Sequence, residues 1–401
     1  MLRVTLLLAV SATTFSAAGC IFLVDDAASG GGGAGGGAGV GAGATATSSS
    51  TESGGAGGPP APCSASFRTL VTAAELAPNA SPAATIEDVD SDGTRIAVVV
   101  GPGTVSQAER TLYIGTVESG FDRPSIISPV TTSLRIAFVP GAPPRPLAAV
   151  WSSSAASVCL VGSAEACDSV PGSPVYAGYP DRVEALGPPS RAIVSSSGNL
   201  GWIELQNTSN ATQDIFGVSV RDFVTFPGGL VISGAGITYL CNDAASPDLA
   251  NADCVRPADG QIFAEETIGL SATTDTEGLA LVAGIVDAPT QPTNRQVRLA
   301  LIASSSSPTP IPLTAVLDAA SAVAISPSGL LVSRGTVSTA SLSLCCGESA
   351  GILSLTTADL SCGEVASGAP LFLELVPHGA RQVIGRTKDA LYLIELTPIS
   401  G

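Results

Sequence analysis

With 401 residues, 45% of them apolar, the chain can bury a large core. Single cores stop growing beyond roughly 250 to 300 residues, so domains or repeats must divide it. Aromatic residues make up only 4%, and Gly (45) and Pro (29) are abundant, which favours strands and turns over helices. The net charge of −17 disfavours nucleic acid as a partner, and a single histidine restricts imidazole catalysis.

The amino terminus has the pattern of an export signal. Residues 1–19 carry one early positive charge, an apolar stretch and small residues before a cysteine, which predicts a signal peptide. Residues 17–20 (AAGC) resemble a bacterial lipobox, with Ala17 where that family usually has Leu. The resemblance implies that Cys20 receives a lipid and becomes the first mature residue. With Ile21 rather than Asp next, it also implies the outer membrane, on its periplasmic or cell-surface face. The alternative is an ordinary signal peptide cleaved nearby.

Residues 20–62 are predicted to hold the lipid attachment and a flexible linker. From residue 29 this segment is almost entirely Gly, Ala, Ser, Thr and Pro, with GGGGAGGGAGVGAGA at its centre. A chain of this composition spans roughly 30 Å between its ends, so it acts as a tether. No later apolar run reaches about 18 residues, so the predicted contact with the membrane is through the lipid alone.

The folded region begins with a strand, an Asp-Gly turn and two more strands in residues 86–117, a meander that cannot bury its faces alone. Similar units recur with their turns 39 to 51 residues apart. The turns lie at Gly93, Gly141, Pro189, Gly228, Gly278, Gly329 and Gly379. Seven repeats of this length predict a ring of four-stranded blades.

Third strands are predicted after each pair, at residues 112–117, 157–161, 200–205, 237–241, 297–302, 352–355 and 391–396. The seventh unit then lacks one strand, and residues 66–72 (SFRTLVT) have the right length to supply it. Closing the ring in this way removes two exposed sheet edges. The prediction is an all-β, seven-bladed β-propeller over residues 63–401, closed by an N-terminal strand. Tandem β-sandwiches and a β-helix are the rival folds.

The turn at residues 326–329 (SPSG), with a relaxed form at residues 90–93 (DSDG), resembles the repeats of the TolB and WD-repeat propeller superfamily. The resemblance covers residues 63–401. The Gly-His and Trp-Asp dipeptides of true WD repeats are absent from these units. The resemblance therefore implies a fold and not a family function.

Nine cysteines in an exported chain, one of them lipidated, leave eight and predict four disulfides. Two of the predicted pairs join cysteines that are close in the sequence. Of the two adjacent cysteines near the end of the chain, one is predicted to form a third such pair and the other to form a bridge to the start of the fold. The predicted pairs are Cys159 with Cys167, Cys241 with Cys254, Cys362 with Cys345 or Cys346, and Cys63 with the remaining one. A zinc site is the alternative interpretation of these cysteines, but the sequence contains no Cys-x-x-Cys pair.

Asp88, Asp90 and Asp92 precede Gly93 with the Asp-x-Asp-x-Asp-Gly spacing that opens calcium loops, so they are the metal candidates. An EF-hand would place Glu at the twelfth position, where this chain has Val99. The loop also resembles those of integrin-type propellers, except that the next ligand position is not acidic. An acidic hairpin turn without metal is the alternative, and no other cofactor is predicted.

His378 is the one residue able to act as an imidazole base in a Ser-His-Asp arrangement, and its place in a turn predicts a solvated side chain instead. Asn207 and Asn210 match glycosylation acceptor patterns and are interpreted as loop residues. Trp151 and Trp202 are predicted to occupy equivalent strand positions in the core.

The sequence identifies no reaction and no ligand. By analogy with the fold, the prediction is a lipid-anchored envelope binding or scaffold protein with an unknown protein or glycan partner. One alternative is a propeller hydrolase or lyase that uses carboxylates at the central funnel. A purely structural envelope component is another. No catalytic residue is assigned.

Overall fold

The computed structural model describes the chain from Cys63 to Pro398 with internal gaps, and residues 1–62, with the predicted signal peptide, lipidation site and linker, lie outside it. The gaps are residues 81–82, 103–109, 122–123, 126–132, 142, 153–154, 162–166, 170–177, 188–189, 206–212, 215–218, 228, 242–260, 275–278, 289–290, 303–308, 312–316 and 347–359. Within the described residues, no helix has the length and apolar character needed to cross a membrane.

The described chain forms seven antiparallel sheets of four strands each, so the prediction of a seven-bladed propeller is confirmed. Blade 1 contains β2 (Thr85–Ser91), β3 (Arg95–Gly101), β4 (Thr111–Thr116) and β5 (Pro124–Ser125), and blade 2 contains β6 (Ser133–Val139), β7 (Arg145–Ser152), β8 (Ala155–Val161) and β9 (Cys167–Ser169). Blade 3 contains β10 (Arg182–Leu186), β11 (Arg191–Ser196), β12 (Asn199–Glu204) and β13 (Gln213–Asp214), and blade 4 contains β14 (Val220–Phe226), β15 (Gly229–Gly234), β16 (Ile237–Cys241) and β17 (Gln261–Phe263).

The remaining blades repeat the same order. Blade 5 contains β18 (Thr267–Thr274), β19 (Ala280–Ala288), β20 (Gln291–Ile302) and β21 (Thr309–Ile311), and blade 6 contains β22 (Ala320–Ser326), β23 (Gly329–Arg334), β24 (Ser341–Cys346) and β25 (Ser361–Ser367). Blade 7 contains β26 (Glu374–Pro377), β27 (Gln382–Arg386) and β28 (Ala390–Pro398), together with β1 (Cys63–Thr72). One short helix, α1 (Ala73–Leu76), follows β1 and begins with a capping box between Thr72 and Glu75.

The blades form a closed ring. The first strand of each blade contacts the first strand of the next, from β2 through β6, β10, β14, β18 and β22 to β26, and β26 contacts β2 again. The first strands therefore surround the centre of the ring, and neither tandem sandwiches nor a β-helix would give this circular set of contacts.

The N-terminal strand completes the last blade. β1 pairs with β28 along its length, from Cys63 opposite Pro398 to Thr72 opposite Ala390, in a sheet ordered β1, β28, β27, β26. The predicted closing strand, residues 66–72, lies within this pairing. The two ends of the folded chain thus share one sheet, and the ring has no unpaired seam.

The core consists of seven apolar clusters, one between each pair of neighbouring blades. β3 explains why the second strands are continuously apolar. Its Ile96, Val98 and Val100 pack against blade 7, whereas Ala97 and Val99 pack against blade 2. Both faces of the strand are buried, so alternation with polar residues is lost.

The adjacent residues Cys345 and Cys346 of β24 face opposite sides of the sheet, as neighbouring residues of a strand do. Cys345 forms a disulfide with Cys362 on the neighbouring strand of blade 6, and Cys346 forms one with Cys63 at the start of β1. This is one of the two pairings left open by the sequence. Cys159 and Cys241 are also disulfide-bonded.

The pairings of Cys159 with Cys167 and Cys241 with Cys254 remain predictions, because the side chain of Cys167 and all of Cys254 lie outside the described residues.

The predicted third strand of blade 6 is wrong. Residues 352–355 lie outside the described residues, and the third strand is Ser341–Cys346, which pairs with β23 and carries the vicinal cysteines. Both segments have an alternating apolar pattern, but Ser341 follows the second strand after a six-residue connection, and this proximity decides the pairing.

Candidate functional site

The centre of the ring holds a cavity of about 420 Å³, lined by residues from all seven first strands. We call it the channel. Its lining is rich in charge and includes Asp88, Asp90, Arg182, Glu184, Arg221, Asp222, Glu374 and Arg386. Five of these side chains are acidic and three are basic, so carboxylates are in excess.

Several of these carboxylates hold neighbouring blades together. The first strand of a blade has one free edge, whose N–H groups need acceptors. Asp88 accepts from the N–H of Ile136 at 2.9 Å, and Asp90 accepts from that of Phe138 at 2.7 Å.

Asp222 repeats the arrangement three blades further on, because it accepts from the N–H of Leu270 at 2.7 Å. In all three pairs the donor lies 48 residues after the acceptor, about one blade along the chain. Carboxylates that line the channel therefore connect blade 1 to blade 2 and blade 4 to blade 5.

Two arginines neutralise part of the acidic lining. Arg182 contacts Glu184 at 2.6 Å and Asp222 at 2.8 Å, which joins blade 3 to blade 4. Arg386 contacts Glu374 at 2.7 Å. It also donates to the carbonyl of Ile86 at 2.9 Å, across the junction of the last and first blades.

Asp88 and Asp90 form no ion pair among the described residues of the channel. Burial raises the pKa of Asp88 to about 7, and the charge of Glu374 adds to the effect. Burial also raises the pKa of Asp90 well above its ordinary value, with a further contribution from Glu184. Both carboxyl groups therefore hold a proton more readily than an exposed Asp does, and a cation placed beside them would favour their ionised form.

A second cavity, of about 510 Å³, opens where the first strands of blades 1 to 4 end in their turns, and we call it the turn-face cavity. It shares Asp90, Glu184 and Thr225 with the channel lining. One part of its wall is apolar and includes Phe138, Pro140, Phe226 and Pro227.

The three calcium candidates lie along one segment but have separate partners. Asp88 and Asp90 bind blade 2 as described, whereas Asp92 accepts from the backbone of Thr94 and Arg95 and pairs with the Arg95 guanidinium at 2.9 Å. The described residues contain no group of three or more potential ligands able to hold a metal ion. The calcium site remains a prediction without structural support.

His378 is buried, with 4% exposure, and the expectation of a solvated turn histidine is wrong. Its Nδ1 lies 2.6 Å from the Ser91 hydroxyl of blade 1, so the pair spans the junction of the last and first blades. Burial lowers the pKa of His378, opposed by Asp92 and Glu118. The imidazole and the hydroxyl share one hydrogen bond whose direction depends on the ring tautomer, and the Ser91 oxygen also accepts from the N–H of Gly93.

The remaining candidates have different surroundings. Trp202 is buried in the cluster between blades 3 and 4, as predicted. Trp151 is half-buried beside Tyr179, with 5.7 Å between ring centroids. The two tryptophans are not equivalent, because Trp151 lies on the second strand of its blade and Trp202 on the third. Asn207 and Asn210 lie outside the described residues.

Sequence reasoning did not single out the channel residues Arg182, Glu184, Asp222, Glu374 and Arg386. A signal was present for one of them. Aligning residues 86–89 (IEDV) with residues 220–223 (VRDF) places Asp222 at the position of Asp88, and each of these carboxylates accepts from a buried residue 48 positions later. The contacts from Arg182 to Asp222 and from Arg386 to the carbonyl of Ile86 cross blades, and spacing along the chain does not indicate these two.

Comparison with solved structures finds matches at low sequence identity. The chain is similar to the WD40 domain of coronin from Toxoplasma gondii, with a TM-score of 0.50 and 11% identity over 84% of this chain and 87% of that one. A streptogramin B lyase aligns with a TM-score of 0.46 and 9% identity over 83% and 98% of the two chains. The WD40 domain of SCAP from fission yeast aligns with a TM-score of 0.43 and 9% identity over 84% and 98%.

No family model matches the sequence. The comparison with curated proteins gave no match either. The sequence identities are too low to carry any function from these structures to this chain. The seven sheets and the coronin similarity together show that the chain has a seven-bladed β-propeller fold.

Proposed function

We propose that this protein is an outer-membrane lipoprotein whose propeller is a binding or scaffold domain that recognises a protein partner at the channel. The observation that carries the proposal is the charged channel, where Asp88 and Asp90 line an open cavity without ion-pair partners among the described residues. Propellers offer such central cavities as recognition sites.

The position of the predicted tether is compatible with this role. The chain enters the fold at Cys63, the first residue of β1, and β1 is the outermost strand of blade 7. A lipid on Cys20 would therefore hold the ring by its rim. The channel, at the opposite edge of the blade, is left without a covalent attachment.

The anchor can be tested in a Gram-negative host by mass spectrometry and fractionation. The full chain should be recovered in the outer-membrane fraction with a diacylglyceryl group on its N-terminal peptide, and Cys20→Ser should be released in soluble form. A wild-type chain that is soluble and unmodified would contradict the anchor.

Recognition at the channel can be tested by photo-crosslinking in living cells. Leu373 lines the channel and is 51% exposed, so a benzoylphenylalanine at this position would meet a partner that enters there. Val337 is 89% exposed and does not line the channel, which makes it the matched control. A protein adduct from position 373 but not from 337 supports the proposal, and adducts from neither position contradict it.

A carboxylate-based hydrolase or lyase is the second candidate, and one observation favours it. A pKa near 7 at Asp88 would allow its carboxyl group to exchange a proton at neutral pH, as a general acid must. Turnover of a chromogenic glycoside or lactone that is lost in Asp88→Asn and retained in Glu395→Gln would support this candidate. Glu395 lies exposed on β28, away from the channel lining. Equal turnover in both variants would exclude a catalytic role for Asp88.

A further inference from the structure

The turn-face cavity has an apolar wall and an acidic inner end. Its apolar wall is accessible, since Pro140 and Pro227 are exposed and Phe226 is half-buried. The ring of Phe226 lies over Gly229, in space that a Cβ at that position would occupy.

The inner end of the same cavity is acidic. Asp90 accepts from the backbone N–H groups of Phe138 and Ser91, and it contacts no cation among the described residues. Glu184 uses Oε1 for Arg182, while its Oε2 has only the Thr225 hydroxyl at 3.3 Å. A single guanidinium therefore serves Glu184 and Asp222 together, and nothing described balances Asp90.

These features favour a ligand with a flexible apolar stem and a cationic head. Phe and Pro side chains stabilise a methylene stem by contact, and an aromatic face also attracts a cation. A carboxylate pair stabilises an ammonium or guanidinium through charge-assisted hydrogen bonds. A bare divalent ion would leave the apolar wall unused and would need about six oxygen ligands. An acidic group would be repelled by the lining and by the net charge of −17.

We propose that the turn-face cavity binds a lysine or arginine side chain presented by a protein partner, with its stem against Phe226 and Pro227 and its cationic head at Asp90 and Glu184. This inference rests on the proposed function and names the chemistry by which the partner is recognised. The cavity of about 510 Å³ has room for such a side chain with part of its backbone.

The test uses the purified full chain and three capped pentapeptides, Gly-Gly-X-Gly-Gly, in which X is lysine, arginine or norleucine. Norleucine keeps the apolar stem and removes the charge. Binding is followed by the loss of peptide signal in saturation-transfer NMR and by titration. The lysine and arginine peptides should bind, and the norleucine peptide should bind at least about tenfold more weakly.

Variants locate the site. Asp90→Asn and Glu184→Gln each remove a group that can ionise beside a bound cation and keep a hydrogen-bond acceptor, so each should weaken binding of the lysine peptide about tenfold or more. Glu395→Gln removes the same charge on the outer part of blade 7 and should leave binding unchanged. Thermal melts of the variants confirm that they are folded.

Two results would overturn the proposal. One is equal binding of the lysine and norleucine peptides, or no binding of any. The other is a lysine affinity that falls in Glu395→Gln as much as in Glu184→Gln, which would indicate a general effect of the negative surface. An adduct from position 373 in cells together with either result would leave the proposed function standing and remove only the basic side chain as the recognised group.

Discussion

Removing the disulfide between Cys63 and Cys346 should destabilise the protein more than removing the one between Cys345 and Cys362. Both bridges use neighbouring residues of β24, but the first closes a loop of 283 residues and the second a loop of 17. We call them the seam disulfide and the local disulfide. Because they share a strand, they differ mainly in the length of chain that each constrains.

The expected magnitude follows from the entropy that a crosslink removes from the unfolded chain. On this model the seam disulfide contributes about 5 to 6 kcal/mol and the local disulfide about 3 kcal/mol. The double variants Cys63→Ala with Cys346→Ala, and Cys345→Ala with Cys362→Ala, leave no unpaired partner that could exchange. Each loses two sulfur atoms, so the cost of the lost packing is similar in the two.

The assay is equilibrium unfolding in guanidinium chloride, with the free energy of unfolding compared at equal m-values. The seam variant should lose about 2 to 3 kcal/mol more than the local variant. If the local variant loses as much as the seam variant or more, chain entropy is not what the seam disulfide contributes. The reasoning that links the two ends of the ring through Cys63 would then be wrong.

Three further predictions concern groups at the centre and junction of the ring. Asp90→Ala should lower the free energy of unfolding by about 1 to 3 kcal/mol because the N–H of Phe138 loses its acceptor, and Asp90→Asn should lose less, as measured by urea unfolding. Asp88 binds its proton more tightly in the folded state, so stability should fall as pH rises between about 4 and 7, by up to about 1.4 kcal/mol per pH unit. Asp88→Asn should flatten that slope in melts across this range, and an unchanged slope would contradict the assignment. His378→Ala should cost about 1 to 3 kcal/mol through loss of the Ser91 contact, and His378→Asn, whose amide can still meet the hydroxyl, should cost less by chemical denaturation.

The fold was largely predictable because the signals that define it are local and repeated. The spacing of the turns indicated seven units, and the missing strand of the last unit indicated that residues 66–72 would close the ring, as β1 does. The continuous apolar run of β3 was an equally clear signal, since a strand buried on both faces needs no polar alternation.

Blade 6 shows where local signals fail. Residues 341–346 and 352–355 both alternate in the manner of a strand, and periodicity does not distinguish between them. The pairing depends on which segment reaches β23 after a short connection. The six-residue connection from β23 to Ser341 favours residues 341–346, and periodicity alone does not take this connection into account.

The candidate site was less predictable, because its contacts join residues from different blades. The acidic spacing of Asp88, Asp90 and Asp92 resembled a metal loop, yet the first two carboxylates face a strand 48 residues later and satisfy its edge. The turn sequence around His378 suggested an exposed side chain, because its partner Ser91 lies 287 residues away in the sequence. Contacts between blades cannot be predicted when each repeat is analysed separately.

Amide hydrogen exchange in β1 tests the closed ring most directly. If the two ends of the chain meet in one sheet, the amides of Cys63–Thr72 that pair with β28 should exchange as slowly as those of Gln382–Arg386 in the same blade. Exchange of the whole of Cys63–Thr72 at the rate of an unstructured peptide, while Gln382–Arg386 stays protected, would show that the N-terminal strand does not close the propeller.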